Sequence, residues 1–359
     1  KRLIMMSEIK SIKIEKTKNS KLKELEEGDL KFGRTFTDHM LICDFENGEW
    51  KDPEIIPYQK ISLDPSTSFI HYGQSIFEGL KAHRGQNGEI LLFRPMANFA
   101  RLNKSAERMS MAQLPEWTFT EGLKEIINLD KSWIPTGEES ALYIRPFMFG
   151  TEAFLGVKAS TSYRFMIILS PVGAYYSKPV KVKIEKHFSR AMSGGVGSAK
   201  TSGNYAASIY PAKKGMEEGY DQLIWTDAKD HNRIEESGTM NIMFVLDSKL
   251  ITPKLSSSIL PGITRDSILT IANDWGLEVE ERDIYVDEIV KGIESKSLTE
   301  AFGVGTAATI AHIAAIGHDG IDYYLPAVET REISNKLGKY LNDYKRGRIE
   351  DVHNWLMEV

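Results

Sequence analysis

The sequence has few of the features that would place this protein in a special class. A single cysteine, Cys43, among 359 residues allows no intrachain disulfide and fits a reducing compartment, so we expect a cytoplasmic protein. No window approaches the roughly 18 consecutive apolar residues of a membrane span. The formal net charge of -5 excludes an overall basic field that would attract nucleic acid. We therefore expect neither a membrane nor a nucleic-acid partner.

The composition is that of an ordinary globular protein, with 42% hydrophobic and 26% charged residues. The N-terminus is locally basic, and residues 1–31 contain no motif. We interpret this segment as a solvated, peripheral leader, with a nucleic-acid-binding arm as the alternative. Cys43 follows the apolar run "HMLI" and is predicted to be a buried structural thiol rather than a nucleophile.

The hydrophobic pattern predicts an α+β fold with two lobes. Apolar runs predict strands, among them "HMLICDF" at 39–45, "ALYIRPFMFG" at 141–150 and "DQLIWTD" at 221–227. Helical spacing predicts helices over 98–111, 262–276 and 119–134, with Thr120 as the N-cap of the last. The Gly, Ser and Pro residues of "GAYYSKPVK" indicate a boundary. We predict a smaller N-terminal α/β domain, a linker, a larger C-terminal domain and a site between the lobes; the ranges are 1–176, 177–189 and 190–359.

The stretch "SGGVGSAKTSGNY", residues 193–205, surrounds Lys200 with small residues. One interpretation is a phosphate loop, G-x-x-x-x-G-K-[ST], but Ala199 replaces the second glycine and the next helix is predicted to start several residues too late. Another is a nucleophilic amine, since small neighbours leave room for a cofactor ring and Tyr205 can bond an aromatic oxygen. The third is a solvated lysine in a mobile loop. The loop alone leaves all three open.

Eight stretches of the chain occur in the order "HYGQSIFEGLKA", "LFRPMANFARLNKSAERM", "LYIRPFMFG", "SPVGAYY", "GGVGSAKTSGNYAAS", "IEESGTMNIMFV", "SILPGITRDS" and "AFGVGTAATI". In this order and spacing, from about Thr37 to the C-terminus, the sequence resembles the branched-chain amino-acid aminotransferases, of the fold-type IV pyridoxal-phosphate class. The resemblance implies reversible, ping-pong amino transfer between L-leucine, L-isoleucine or L-valine and 2-oxoglutarate. It also implies pyridoxal 5'-phosphate as the cofactor and no metal.

The resemblance assigns a residue to each contact with the cofactor. It implies Lys200 as the Schiff-base lysine and proton carrier, and Glu236 as the acid at the pyridine nitrogen. Neighbours in an extended segment face opposite sides, so Glu235 is expected to be a surface acid. Tyr205 is the implied donor to the ring oxygen. The phosphate is expected to be bound by Arg101, by the backbone amides of Ile263 and Thr264, and by Thr306.

The resemblance also implies an apolar substrate pocket and a second subunit. The implied pocket residues are Phe77, Tyr143, Tyr175, Thr239 and Ala307. Arg145 is expected to orient the pocket and to help admit a glutamate side chain, and the amides of Thr306 and Ala307 to bind the substrate carboxylate. Tyr72 resembles a residue that reaches in from the partner subunit, so a homodimer is expected.

The sequence departs from some mammalian relatives after the "GTA" turn. Ala308 and Ala311 stand where those relatives carry a Cys-x-x-Cys pair, so a thiol switch of that kind is excluded. Three other functions stay open from the sequence: a D-amino-acid aminotransferase or aminodeoxychorismate lyase, a P-loop nucleotide-binding protein, and a cofactor-binding protein without catalytic activity.

Overall fold

In the computed structural model of this chain, residues 11–25, 30–176 and 178–359 are described. These residues form two β-sheets of ten and nine strands together with seven α-helices. The mixture of mostly antiparallel sheet and helices confirms the predicted α+β class. In chain order the helices are α1 (Ser68–Tyr72), α2 (Pro95–Arg108), α3 (Glu116–Leu129), α4 (Ser202–Glu217), α5 (Ile263–Asp274), α6 (Val286–Glu294) and α7 (Ile333–Lys345).

The first sheet is built almost entirely from the N-terminal half of the chain. Its strands are β1 (Lys13–Ile14), β2 (His39–Glu46), β3 (Glu49–Trp50), β4 (Glu54–Pro57), β5 (Ser75–Phe77), β6 (Leu80–Arg84), β7 (Ile90–Phe93), β8 (Ala141–Gly150) and β9 (Tyr163–Val172). They follow the order β1-β4-β2-β9-β8-β6-β7, with β3 on β2 and β5 on β8. Helix α3 packs on β2, where Gly122 permits the approach: a Cβ there would lie 2.7 Å from Leu41 Cδ1.

The second sheet contains a closed barrel. Its strands are β10 (Val180–Ile184), β11 (Gln222–Thr226), β12 (Ile234–Ser237), β13 (Met240–Leu246), β14 (Lys249–Pro253), β15 (Val279–Arg282), β16 (Leu298–Gly305), β17 (Thr309–His318) and β18 (Ile321–Tyr324). The order is β12-β11-β10-β17-β16-β13-β14-β15, and β12 also pairs with β13. The six strands from β12 round to β13 therefore close on themselves, which leaves no free edge among them.

The structure differs from the predicted domain limits at two places. The range 177–189 is a linker in the sequence-based prediction, but β10 lies within it and pairs with β11 and β17 inside the barrel. The alternation of buried Val180, Val182 and Ile184 with partly exposed lysines explains why this segment forms a strand. At the other end, a tenth strand of the first sheet, β19 (Leu356–Glu358), pairs with β7, so the last residues return to the N-terminal half. The domain division itself stays a prediction.

Part of the predicted leader is docked on the first sheet, although most of its side chains stay exposed. Strand β1 pairs in parallel with β4, and the side chains of Ile12, Leu22 and Leu25 pack against the core of the first sheet. The backbone N–H of Thr17 donates to His39 Nε2 at 2.9 Å. Residues 11–25 thus stay peripheral and mostly exposed, as expected of the predicted leader, but a few of their apolar side chains pack on the sheet; residues 1–10 and 26–29 lie outside the described residues.

Two smaller predictions have opposite outcomes. Cys43 is buried, and burial raises the pKa of its thiol to about 12, so the structural interpretation is confirmed. Thr120 is not an N-cap, because α3 begins at Glu116 after Pro115. Instead, the Thr120 hydroxyl donates to Glu116 O at 3.0 Å within the helix. This bond to the preceding turn gives threonine a place inside a helix as well as at its start.

Candidate active site

A cavity of about 910 Å³ is lined by residues from both halves of the chain. Thirteen of the fourteen predicted site residues line it, and they come from both sheets and from helices α2, α4 and α5. They are Phe77, Arg101, Tyr143, Arg145, Tyr175, Lys200, Tyr205, Glu236, Thr239, Ile263, Thr264, Thr306 and Ala307. The structure therefore brings together residues that lie far apart in the sequence.

Lys200 is held in the cavity by backbone contacts on both sides. Its N–H donates to Ser105 Oγ at 2.9 Å, and its carbonyl accepts the N–H of Phe77 at 3.0 Å. The lysine Nζ donates to the Tyr205 hydroxyl at 3.0 Å and lies 4.9 Å from the centre of the Phe77 ring. Edge strand β5 and helix α2 thus fix the main chain, and the amine points into the open volume.

Several backbone amides of the glycine loop before Lys200 are already hydrogen-bonded within the protein. The N–H groups of Gly195, Ser198 and Ala199 donate to the carbonyls of Met192, Ser257 and Val196 at 3.0 Å each. Gly197 is needed for close packing, because a Cβ there would lie 2.5 Å from Ser258 O. A phosphate loop requires free backbone amides, so this conformation argues against the nucleotide-binding interpretation.

The helix after Lys200 starts earlier than the sequence predicts. The sequence predicts that the helix after the lysine starts several residues too late, but α4 begins at Ser202 with Thr201 as its N-cap. The Thr201 hydroxyl donates to Ser75 O at 2.7 Å, which anchors this helix start on β5. Small residues here favour an extended loop because glycine has low helix propensity, whereas tertiary contacts stabilise the helical turn.

Glu236 lies at the bottom of the cavity on β12. Its carboxylate accepts the N–H of Leu260 at 2.7 Å and is 3.0 Å from Arg190 Nε, and the Asn241 amide lies 3.4 Å away. Burial raises the pKa of Glu236, and the Arg190 guanidinium opposes that rise. Arg190 also lines the cavity, and no motif in the sequence analysis indicated it.

Glu235 is not the surface acid that the sequence predicted. It is 4% exposed, accepts the Ser258 hydroxyl at 2.6 Å and lies 3.6 Å from Arg233. All four residues of β12 are buried, because other parts of the protein cover both of its faces. The alternation of the strand separates the two glutamates as expected, and only Glu236 lines the cavity, but the opposite face is also interior.

Arg101 is buried against an acid that sequence analysis missed. Its Nε and Nη2 donate to the two carboxylate oxygens of Glu78 at 2.7 and 2.9 Å, and Nη1 donates to Pro261 O at 3.1 Å. Asn98 also donates to Glu78, at 2.7 Å. Burial alone would raise the pKa of Glu78, but Arg101 outweighs it and holds the pKa below its ordinary value. An arginine has five N–H donors, so two remain for a ligand.

The start of helix α5 provides the predicted amide donors. Asp266 N donates to Gly262 O at 3.0 Å and closes the first turn, so the preceding amides of Ile263 and Thr264 have no carbonyl within the helix. Gly262 leaves room for Asn241, whose Oδ1 would lie 1.9 Å from a Cβ at this position. Helix polarity and free amides together make this end of the cavity suitable for an anion.

Aromatic side chains and one arginine form another part of the cavity wall. Arg145 Nη2 donates to the Tyr143 hydroxyl at 3.0 Å, and its guanidinium lies 4.7 Å from the centre of the Phe77 ring. The Phe32 ring makes edge-to-face contacts with Tyr143 and Tyr175. Its centre lies 4.8 Å from that of Tyr143 and 5.1 Å from that of Tyr175. Phe32 lines the cavity but was missed, because it follows the segment interpreted as a leader.

The turn between β16 and β17 carries Thr306 and Ala307. Lys81 Nζ donates to Ala307 O at 2.6 Å, which ties this turn to the first sheet. Tyr72 is the one predicted residue that does not line the cavity. It ends helix α1, and its side chain is 44% exposed. Its predicted role toward a partner subunit stays a prediction.

The donor set fits the cofactor that the resemblance implies. A single volume is surrounded by three kinds of group. They are the Lys200 amine beside the Tyr205 phenol, the buried acid Glu236, and an anion site formed by Arg101 and the amides at the start of α5. These are the groups that a pyridine aldehyde carrying a phosphate ester requires. Within the described ranges, no group of three or more His, Cys, Asp or Glu side chains is placed to hold a metal ion.

A family model and individual protein sequences both match this chain, and both are aminotransferases. The family model described as "Amino-transferase class IV" matches residues 75–316. Branched-chain-amino-acid transaminase 1 of Bacillus subtilis (strain 168) is 46% identical over 335 residues, which cover 92% of this chain and 94% of that protein. No helix in the described part of the chain is long and apolar enough to cross a membrane.

Solved structures share the same fold. The branched-chain aminotransferase of the thermophilic archaeon Thermoproteus uzoniensis, solved with norvaline, aligns with a TM-score of 0.72 at 26% identity, covering 89% of this chain and 99% of that chain. The branched-chain amino acid aminotransferase of Thermobaculum terrenum, solved in its PLP-bound holo form, aligns with a TM-score of 0.71 at 23% identity, covering 89% of this chain and 98% of that chain.

Proposed function

The chain belongs to the class IV amino-transferases and is a branched-chain-amino-acid aminotransferase, and from this premise we propose that it moves an amino group reversibly between L-leucine, L-isoleucine or L-valine and 2-oxoglutarate. The products are branched 2-oxo acids and L-glutamate. One cavity serves both half-reactions, so we expect ping-pong kinetics. The observation that supports this most directly is the Lys200 amine, hydrogen-bonded to Tyr205 in the cavity that Glu236 also lines.

Pyridoxal 5'-phosphate, when bound, supplies the electron sink for the reaction. Lys200 would be the amine that holds the cofactor covalently and the base that takes up the substrate Cα proton at Nζ. Glu236 would keep a proton at the pyridine nitrogen, with its carboxylate held by Arg190. Tyr205 would donate its hydroxyl hydrogen to the oxygen on the cofactor ring. The phosphate would be bound by Arg101, the start of α5 and Thr306.

The aromatic wall suits an apolar substrate side chain. Phe77, Tyr143 and Tyr175 present ring surface, so a branched aliphatic group buries apolar area against them. The amides of Thr306 and Ala307 bind the substrate carboxylate. Arg145 lies within this wall and accommodates the second carboxylate of glutamate, since its Nε is buried without a hydrogen-bond partner among the described residues.

A visible spectrum of the purified protein tests the proposal. The protein should be yellow, change its spectrum on addition of L-leucine and recover on addition of 2-oxoglutarate. Lys200→Ala should abolish both the change and turnover, whereas Lys213→Ala, on the exposed face of α4, should behave like the wild type. A Lys200→Ala variant with full activity would refute the mechanism.

A panel of L- and D-amino acids separates the proposal from its relatives. Activity with D-amino acids alone would indicate a D-amino-acid aminotransferase, and a yellow protein inert toward all amino acids would indicate binding without catalysis. A colourless protein that binds ATP with magnesium would favour the nucleotide-binding alternative. A homodimer in which Tyr72 contributes to the partner's site, and a cytoplasmic location, are further parts of this proposal.

A further inference from the structure

A second cavity of about 20 Å³ lies next to the proposed phosphate site. This volume is enough for about one water-sized group. The wall shared by the two cavities consists of Ile263, Thr264 and Thr306. Three basic side chains line the small cavity: Lys81, His83 and Lys345. We call these three residues the basic cluster.

The members of the basic cluster have no acidic partner within the described ranges of the chain. Lys345 Nζ donates to Thr309 Oγ1 at 2.8 Å, and Lys81 Nζ donates to Ala307 O at 2.6 Å. Among the described residues, neither lysine forms an ion pair with a carboxylate, and both ring nitrogens of His83 lack a hydrogen-bond partner. Lys345 and His83 are only 5% and 6% exposed. The two lysines are therefore cations that have no carboxylate partner in the described part of the chain, whereas burial lowers the pKa of His83 and keeps its ring neutral.

Arg101, unlike the lysines of the basic cluster, has a buried carboxylate as its partner. Its guanidinium forms two hydrogen bonds with Glu78, which is fully buried. The pair has no net charge, so Arg101 offers hydrogen-bond geometry to a phosphate but adds no uncompensated charge. The helix amides of Ile263 and Thr264 contribute only partial charges.

A buried ammonium without a counter-charge is unfavourable because it has lost its hydration. Burial lowers the pKa of Lys345 to about 7, with Lys81 and Arg346 as further causes. Burial likewise lowers the pKa of Lys81 to about 8, with Arg346 adding to the effect. An anion on the other side of the shared wall would stabilise the charged forms. A phosphate monoester carries about -1.5 to -2 charges at pH 7 and has the required sign and strength.

We infer that Lys345, with Lys81, supplies the net positive charge that retains the phosphate group of the cofactor, while Arg101 and the start of α5 set its position. This inference rests on the proposed function, because it takes pyridoxal phosphate as the ligand. Lys345 lines only the small cavity and acts on the phosphate electrostatically, across the shared wall. Its effect should therefore depend on the phosphate group and not on the ring.

The test compares cofactors with and without the phosphate. Apoenzyme is titrated with pyridoxal phosphate and with pyridoxal, and the two dissociation constants are measured from absorbance. Lys345→Met should weaken pyridoxal phosphate binding by about tenfold or more, because a charge is lost near a dianion in a poorly solvated region. The dissociation constant for pyridoxal should stay within about twofold, since no ring contact changes.

Lys339→Met is the matched control, because Lys339 lies on the same helix with its side chain 79% exposed. It should leave both constants unchanged. Lys345→Gln, which keeps a donor for Thr309, should reproduce the loss and serves if the methionine variant does not fold. Unchanged pyridoxal phosphate affinity in both Lys345 variants, or an equal loss for the two cofactors, would overturn the inference. Failure of the proposed function looks different, because the wild-type protein would then not transfer amino groups between L-leucine and 2-oxoglutarate, whatever its two dissociation constants.

Discussion

The buried pair of Glu78 and Arg101 provides the sharpest stability prediction. The Glu78 carboxylate accepts both Arg101 donors, the Asn98 amide at 2.7 Å and the N–H of Gly79 at 3.2 Å. Glu78→Gln keeps the shape of the side chain but removes its charge. Both oxygens of Glu78 accept from Arg101, so the NH₂ group of glutamine must face an arginine donor with which it cannot form a hydrogen bond. Since breaking a buried ion pair leaves an uncompensated charge, we expect the apoenzyme to lose about 2–4 kcal/mol of unfolding free energy.

The assay is urea unfolding of the apoenzyme at neutral pH, followed by fluorescence, for wild type, Glu78→Gln and Glu49→Gln. Glu49 pairs with Lys51 at 2.7 Å, but its side chain is 70% exposed, so this control should leave the midpoint unchanged. Inorganic phosphate should stabilise Glu78→Gln more than the wild type, because the released Arg101 charge becomes available. A midpoint for Glu78→Gln equal to that of the control would refute the reasoning.

The pH dependence provides a second check on the same pair. Because the folded pKa of Glu78 is lowered, its contribution is fully present above the ordinary glutamate pKa of 4.5 and is lost as pH falls through the folded value. The stability difference between wild type and Glu78→Gln should therefore shrink below about pH 4.5. A difference that stays constant into this acidic range would show that the lost energy is not that of the ion pair.

Three further predictions concern the site. Glu236→Ala should lower kcat by about 100-fold or more with the cofactor still bound, measured by steady-state kinetics and absorbance; near-wild-type turnover would refute its role. Gly79→Ala places a Cβ 2.2 Å from the Tyr143 hydroxyl, so KM for L-leucine should rise about tenfold while cofactor affinity is unchanged; an unaltered KM would contradict the assigned pocket. Since the pKa of Lys345 falls from 10.5 to about 7 on folding, apoenzyme stability relative to Lys345→Met should increase as pH rises between these values, and a constant difference in melting temperature would contradict the burial argument.

Much of the fold could be predicted because the relevant pattern is local. The strand "ALYIRPFMFG" has the predicted bounds, and β2 and β11 agree within one residue at each end. The predictions for Thr120, Glu235 and the start of α4 failed for a shared reason. A cap, a surface position and a helix start depend on which partners the rest of the chain brings near, and the sequence window does not contain them.

The site residues also fall into those that the sequence could predict and those that it could not. Residues that lie in recognisable stretches, such as Lys200 and Glu236, were predicted and line one cavity. Phe32 and Arg190 also line it, but they lie outside those stretches. The spacing of residues along the chain says which chemical groups are available, and only packing shows which of them share a solvent-poor volume.

The sequence by itself determined the family, the amine at Lys200 and the alternation that forms the sheets, because motif order and hydrophobic period are properties of the chain. The tertiary structure decided the charge balance. Glu78 and Arg101 neutralise each other, whereas Lys345, near the C-terminus, comes to lie beside Lys81 with no carboxylate partner among the residues that the structure describes. Charge pairing depends on distance and on exclusion of water, and both arise only when distant segments pack together.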